Sequence, residues 1–291
     1  MHPELSAIVI ARDNQDTIAA TLASIVDQDV KAPFEIIAVV SGRDRTAEVV
    51  RSGFPHVRLV ALPRPALPGE ARNAGVAAST GKFLSFPGSH VELPAGSLAA
   101  RLRAHRQRHA MVTGSILNGT DTPAGWASYF MDHSDALPGR PSGELPGPPA
   151  HCSYEREALL LAGPFPENMR AGEDTVVNTR VWRSGHRAYR AREVTLCHRS
   201  RCTTPGRLVR HHFVRGRAWG RILADRGEGP AALSGYVRKR LGRTENNVLA
   251  WGGDLVQRYR PVRHLVVLGI RAAGMGALCE MLVQGSRRFG R

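Results

Sequence analysis

Ser6-Ala7-Ile8-Val9-Ile10-Ala11 is an unbroken, largely apolar run closed by the polar triplet Arg12-Asp13-Asn14. A strand that buries both faces reads this way, whereas a strand with one wet face alternates apolar and polar residues. The triplet is then the turn at its carboxyl end. Ile18, Leu22, Ile25 and Val26 follow at helical spacing and predict a helix over 17–28, capped by Asp16 or Thr17. The same unit recurs downstream. Strands are expected over 34–40, 57–62 and 83–86, and helices over 46–51 and 70–79. Four strands alternating with three helices predict an α/β fold, a parallel sheet covered by helices. Such sheets bind ligands at the carboxyl ends of their strands. That places Ala11, Arg12, Asn14, Ser41 and the segment 87–90, with Ser89 and His90, at the candidate site. No Gly-rich phosphate loop of either common type is present, so dinucleotide oxidoreductases and P-loop NTPases are not supported.

The 291 residues carry 40 Lys plus Arg against 25 Asp plus Glu, a formal charge of +15, and 42% of them are hydrophobic. The hydrophobic share is that of a folded globular chain and excludes a disordered one. The charge is concentrated: residues 1–198 hold 21 cations and 20 anions, and residues 199–291 hold 19 and 5. A basic last third fits a nucleic acid or an anionic membrane. The absence of any helix-turn-helix, zinc-finger or RNA-binding motif points away from nucleic acid. Cys152, Cys197, Cys202 and Cys279 lie far apart, without zinc-ribbon spacing, and read as reduced thiols. The first apolar run is too short for a signal peptide, so a cytoplasmic body is expected.

The apolar segment 265–283 approaches a membrane-spanning length. Arg271 and Glu280 interrupt it, and nine residues of helix turn by about 900°, which puts the two on opposite faces. Attachment to the inner face of a membrane is expected, with Arg258, Arg260 and Arg263 on one flank and Arg287, Arg288 and Arg291 on the other reaching lipid phosphates. Packing on the body of the protein or in a homodimer is the other reading. The Gly/Pro-rich stretch 137–150 reads as a mobile surface loop rather than a domain boundary.

Three segments carry candidate chemistry. Ala71-Arg72-Asn73 opens a helix after a Pro-Gly turn, where free N–H groups and a guanidinium suit a diphosphate. Glu173 and Asp174 open another helix, whose dipole favours the ionised carboxylates, and an ionised carboxylate at a cleft edge accepts a hydroxyl proton. His211 and His212 are adjacent in a basic, aromatic helix. Neighbours on a helix point about 100° apart, which argues against their sharing a metal.

Taken in order, Ser6–Asn14, Gly69-Glu70-Ala71-Arg72-Asn73-Ala74-Gly75 and Gly172-Glu173-Asp174-Thr175, with Arg180 and Gly185 downstream, resemble family 2 glycosyltransferases of the GT-A fold over residues 5–220. The resemblance implies a bacterial enzyme with a mixed sheet flanked by helices and a helical C-terminal extension. It implies a catalytic domain over 1–205, with a nucleotide-sugar half at 1–115 and an acceptor half at 116–205, and a basic extension over 206–291. Arg72 and Asn73 match positions that contact the nucleotide-sugar donor. Asp174 matches the base of inverting transfer to an acceptor hydroxyl, and Glu173 would orient it or bind the acceptor. Relatives carry Asp-x-Asp where this chain has Gly88-Ser89-His90, so the carboxylates that hold Mn or Mg against the diphosphate are missing. His198 falls where many GT-A enzymes place a further ligand, so His90 with His198 is one reading, and cations from the protein, Arg72 and the neighbourhood of Arg199, are the other. The acidic pair after the second strand is also missing, and Asp44 or Asp13 would replace it. Arg215, Trp219, Arg199 and Trp126 would face the donor or a saccharide, lipid-linked or small-molecule acceptor. A binding or regulatory homologue that has lost metal-dependent transfer is the competing expectation.

Overall fold

The computed structural model describes residues 2–289, with side chains described through residue 285. The chain divides into two compact units, Met1–Ser115 with Pro141–His198, and Ile116–Arg140 with Arg199–Arg291. The first holds, in order, β1 (Leu5–Arg12), α1 (Ile18–Val26), β2 (Phe34–Ser41), α2 (Thr46–Gly53), β3 (Arg58–Ala61), α3 (Pro68–Ala78), β4 (Phe83–Ser85), β5 (Val91–Glu92) and α4 (Ser97–Arg106). β6 (Met111–Asn118) crosses into the second unit, which continues with α5 (Pro123–His133). The first unit resumes with β7 (Gly143–Glu144), β8 (Ser153–Glu155), α6 (Arg156–Ala162), α7 (Glu173–Arg183) and β9 (Ala188–His198), and the second ends with α8 (Pro205–Asp225), α9 (Ala231–Trp251) and α10 (Leu255–Phe289).

The strand expected over 6–11 is β1, and its side chains alternate between two cores. Leu5, Ala7 and Val9 join Leu22, Ile25 and Val50 on one face, while Ile8 joins Ile37, Val39 and Ala71 on the other. Both faces are dry, which is why the run lacks polar alternation. β1 pairs in parallel with β2 and with β4, and β2 with β3. The sheet order is β3-β2-β1-β4-β8-β6-β9-β5, with β7 added against β9. Pairings from β4 to β8, β8 to β6, and β9 to β5 and β7 are antiparallel, so the sheet is mixed. α3 lies close on β1 because residue 75 is glycine: a Cβ there would sit 2.3 Å from Ile8 Cγ2.

Two local expectations change. Thr17 occupies the cap position of α1 without a side-chain cap, because its hydroxyl donates to the Ser89 carbonyl at 2.8 Å. The stretch 137–150 contains β7, which pairs with β9, and the chain passes from one unit to the other between Arg140 and Pro141. The units therefore divide the chain differently from a break near residue 205. Residues 116–140 belong with the C-terminal helices because α5 packs its apolar side there, Phe130 against Tyr259.

In the second unit, α8 and α10 meet through small residues. A Cβ on Gly216 would lie 2.0 Å from the Ala273 carbonyl oxygen, and one on Gly220 would lie 2.4 Å from that of Ala277. Beside this seam Glu280 is buried, with Arg217 at 2.8 Å on one oxygen and Arg221 at 2.8 Å on the other. Hydrogen bonds from Gln284 and the two arginines hold its carboxyl down at about 2. Arg271 is exposed, as the opposite-face argument requires. The span Leu255–Gly285 is long and apolar enough to cross a membrane, with mean hydropathy 1.7, yet half of its apolar window is buried in protein. The Arg287 and Arg288 side chains and Arg291 lie outside the described residues. Among the described residues the four cysteines form no disulfide.

Gly216→Leu should lower stability by about 1–3 kcal/mol, since the backbone of α10 has nowhere to retreat. Gly235→Ala, with open space at the same position on α9, should raise it by about 0.5–1 kcal/mol. Urea denaturation midpoints of the two variants measure the contrast.

Candidate active site

The carboxyl ends of β1 and β2 are fastened to each other. Asp13 adopts a left-handed backbone, φ +52°, and its Oδ1 accepts from the Arg43 N–H at 2.8 Å. Gly42, at φ +109°, could carry no side chain there, because a Cβ would fall 2.4 Å from that same oxygen. Asn14 Oδ1 accepts from the Arg12 N–H, and the Asn14 N–H donates to Thr46 Oγ1. Asp44 accepts from the backbone of Gln15 and Thr46 and from the Thr46 hydroxyl. Asp13 and Asp44, candidates for reading a nucleotide base, thus hold the loops in shape. Ala11 and Ser41 are buried in the β1–β2 ladder, and Arg12, half exposed, reaches the Ala66 carbonyl at 3.5 Å.

Arg72 of α3 and Glu173 of α7 meet in an ion pair. The Arg72 guanidinium donates to Glu173 at 3.2 Å, with side chains only 15% and 7% exposed. Phe86 and Phe165 flank the guanidinium at 5.2 and 5.4 Å from their ring centres, close enough for cation–π attraction. Burial raises the Glu173 carboxyl above its ordinary value, against the pull of Arg72. Glu173 therefore positions α7 against α3, and Asp174, the next residue, stays half-buried at the helix N-terminus with its Oδ1 accepting from the Thr175 N–H at 2.8 Å. Asn73 closes the same wall: its amide accepts from Phe165 N–H and donates to Phe165 O and Glu167, each at 2.9 Å. The two phenylalanines are absent from the sequence reading. Phe86, last in an apolar run that ends at the ligand edge of the sheet, was the available signal.

The residues that replace Asp-x-Asp converge with the end of β9. Val91 pairs with His198 in the antiparallel ladder of β5 and β9, which brings His90 beside it. The two imidazoles stand with Nε2 atoms 3.0 Å apart and rings nearly perpendicular. Two imidazole nitrogens at that separation fit a shared divalent ion, and as nitrogen donors they suit Mn2+ or a softer ion better than Mg2+. Ser89 is buried and engaged through its backbone with Thr17.

Trp126, Arg199, Arg215 and Trp219 belong to the second unit. Trp126 donates to Asp121 at 2.7 Å and stacks on Phe130, and Trp219 stacks on Tyr236. Arg199 is exposed. Arg215 pairs with Asp132, a buried carboxylate that also faces Arg240 and His212. Burial alone would raise the Asp132 carboxyl, but the charges of Arg215, His212 and Arg240 hold it well below the ordinary range. Burial in turn presses His212 down to about 4. The sequence signal for Asp132 was a lone acid in an otherwise apolar helix. It lines a cavity of about 380 Å³ together with Lys239, Arg240 and Arg243.

A parallel half fused to an antiparallel half in one mixed sheet flanked by helices is the GT-A arrangement. Residues 6–159 match the family described as Glycosyl transferase family 2, and the chain belongs to it. The succinoglycan biosynthesis protein ExoO of Rhizobium meliloti (strain 1021) is 32% identical over 84 residues, 28% of this chain and 24% of ExoO, so the match spans about a quarter of that relative. Among solved structures, S. aureus TarS 1-349 in complex with UDP-GlcNAc is 16% identical with a TM-score of 0.57, over 99% of this chain and 92% of that one. The mannosyltransferase PcManGT from Pyrobaculum calidifontis, in complex with GDP-Man and Mn2+, is 17% identical with a TM-score of 0.61, over 97% and 88%. At these identities the likeness is one of fold.

Because the folded carboxyl of Glu173 titrates above the unfolded one, its contribution to stability is complete below pH 4.5 and declines as pH rises through the folded value. The native chain should therefore gain stability relative to Glu173→Gln as pH falls from 7 toward 4.5. Paired denaturation curves across that window read the difference.

Proposed function

We propose that the protein is a glycosyltransferase that moves a sugar from a nucleoside-diphosphate donor to an acceptor hydroxyl with inversion, using Asp174 as general base. The observation that carries this reading is the pairing of Arg72 with Glu173, which leaves the adjacent Asp174 as the less buried carboxylate at the start of α7. The acceptor oxygen bonds to the anomeric carbon on the face opposite the diphosphate. The carbon–oxygen bond to the diphosphate breaks with its electron pair on the leaving group, and the hydroxyl proton passes to Asp174. Positive charge near the diphosphate lowers the barrier to its departure, and Arg72 and Arg12, the donor-contact candidates of the first unit, would supply it. His90 and His198 would hold a divalent ion, which would add charge at the same group. TarS and PcManGT, crystallised with UDP-GlcNAc and with GDP-Man and Mn2+, support a nucleotide-sugar donor.

The acceptor is a saccharide, a lipid-linked sugar or a small molecule, and the enzyme works in the cytoplasm at the inner membrane face. Support for the surface comes from α10, which exposes Leu268, Met275 and Leu282 at seven-residue spacing together with Arg258, Arg260 and Arg271. A homodimer would cover the same stripe. The competing reading, a binding homologue without transfer, draws its support from Gly88 and Ser89 in place of carboxylates.

Asp174→Asn should cut transfer by about 10²–10⁴-fold while donor affinity is kept, measured by product formation and by calorimetric titration of UDP- and GDP-sugars with Mn2+ or with EDTA. Undiminished transfer in that variant would remove Asp174 from the mechanism. Failure of every nucleotide and nucleotide sugar to bind, with or without metal, would sink the enzyme reading.

A further inference from the structure

We propose that Cys202, His211 and His212 form a binding site for a borderline divalent metal ion, Zn2+ foremost, within the second unit. One ligand atom from each of the three lies within 4.8 Å of the others. A thiolate with two imidazoles is a donor set that selects zinc over magnesium or calcium, and three protein ligands leave a fourth position for water or a further group. The cluster is built rather than incidental to the surface: Cys202 and His212 are each 1% exposed. The second nitrogen of His212, Nε2, which makes no hydrogen bond, lies 3.9 Å from the Asp132 carboxylate. Metal-bound histidines ordinarily turn their second nitrogen toward a carboxylate, which fixes the ring and strengthens the donor, and Asp132 stands where such a group belongs. His211 is exposed and provides the way in.

The objection from helical geometry fails for a definite reason. A separation of about 100° applies to the Cα–Cβ directions, whereas the donor atoms sit at the far ends of rings that rotate about two torsions. The His211 and His212 rings stand 85° apart with centres separated by 5.1 Å, so they converge although their stems diverge. The third donor comes from outside the helix. Cys202 lies in the segment before α8, held by its N–H donating to Ser200 Oγ at 3.1 Å. A bound ion would tie that segment to the second turn of α8. The nearby Arg215 cation is already neutralised by Asp132 at 3.1 Å, and the thiolate offsets one of the ion's two charges.

The test uses the full chain, stripped with a chelator and titrated with Co2+, whose thiolate complexes give a sulfur-to-metal charge-transfer absorption that a site made only of imidazoles lacks. The native chain should show this band with tetrahedral d–d absorption, and one equivalent of Zn2+ per chain should displace it. Cys202→Ser should abolish the band. His211→Gln, at an exposed position that leaves the fold intact, should weaken Co2+ affinity by about tenfold or more. Cys197→Ser, Cys279→Ser and His90→Ala should keep the band. Absence of the band in the native chain, its survival in Cys202→Ser, or its loss in Cys197→Ser would overturn the proposal.

Discussion

The ion pair between Arg72 and Glu173 is the contact on which the first unit turns, because it joins the helix after β3 to the helix before β9. Burying two charges costs several kcal/mol each unless other interactions compensate. Here the compensation is specific. The guanidinium lies within cation–π reach of both Phe86 and Phe165, and Glu173 opens a helix whose dipole favours negative charge. Asn73 then fixes Phe165 through both of its backbone groups. The motif residues thereby serve one another: Arg72 and Asn73 shape the wall, Glu173 anchors it, and Asp174 is left as the carboxylate with access to solvent.

The second unit follows the same rule with different helices. Asp132 and Glu280 are buried acids, each met by two arginines, one pair drawn from α8 and α9 and the other from α8 alone. Each acid is buried while its arginines reach it from neighbouring helices, so each pairing fixes helix register in a way that apolar packing does not. Between them runs the glycine seam of α8, where the backbones come close enough that side-chain volume is excluded. A seam of small residues sets the distance and the buried acids set the sliding position.

The parallel half of the fold was legible in the sequence because β1 and most of β2 are buried on both faces and read as short, unbroken apolar runs bounded by turn residues. The antiparallel half was not. β5, β7 and β8 are two or three residues long, too short to show alternation, and they exist because longer neighbours supply their partners. At the site, residue types in order pointed to Arg72, Asn73, Glu173 and Asp174, but not to their mutual arrangement. Arg72 against Glu173 is a contact across 101 positions, and no local pattern encodes it. The pairing of His90 with His198 was accessible only through the resemblance, since the register of β5 on β9 is what unites them. For His211 and His212, a rule about Cβ directions was applied to atoms several bonds further out.

The charge distribution shows how position along the chain differs from position in the fold. Cutting the sequence after His198 leaves a last third that is strongly basic, but the unit that folds there also recruits residues 116–140, which bring Asp121, Asp132 and Asp135. Asp132 takes Arg215 and Arg240, Asp135 takes Arg243, Glu280 takes Arg217 and Arg221, and Glu245 takes Arg263. Six arginines are thus committed inside the unit before any partner is met. A polyanion draws its affinity from cations that can each release a counterion, and cations already paired with carboxylates contribute little of that. The exposed charge that remains on α10, Arg258, Arg260 and Arg271, runs alongside Leu268, Met275 and Leu282. Basic side chains interleaved with large apolar ones suit an interface that is anionic at its surface and apolar just beneath it, which a membrane is and a nucleic acid is not.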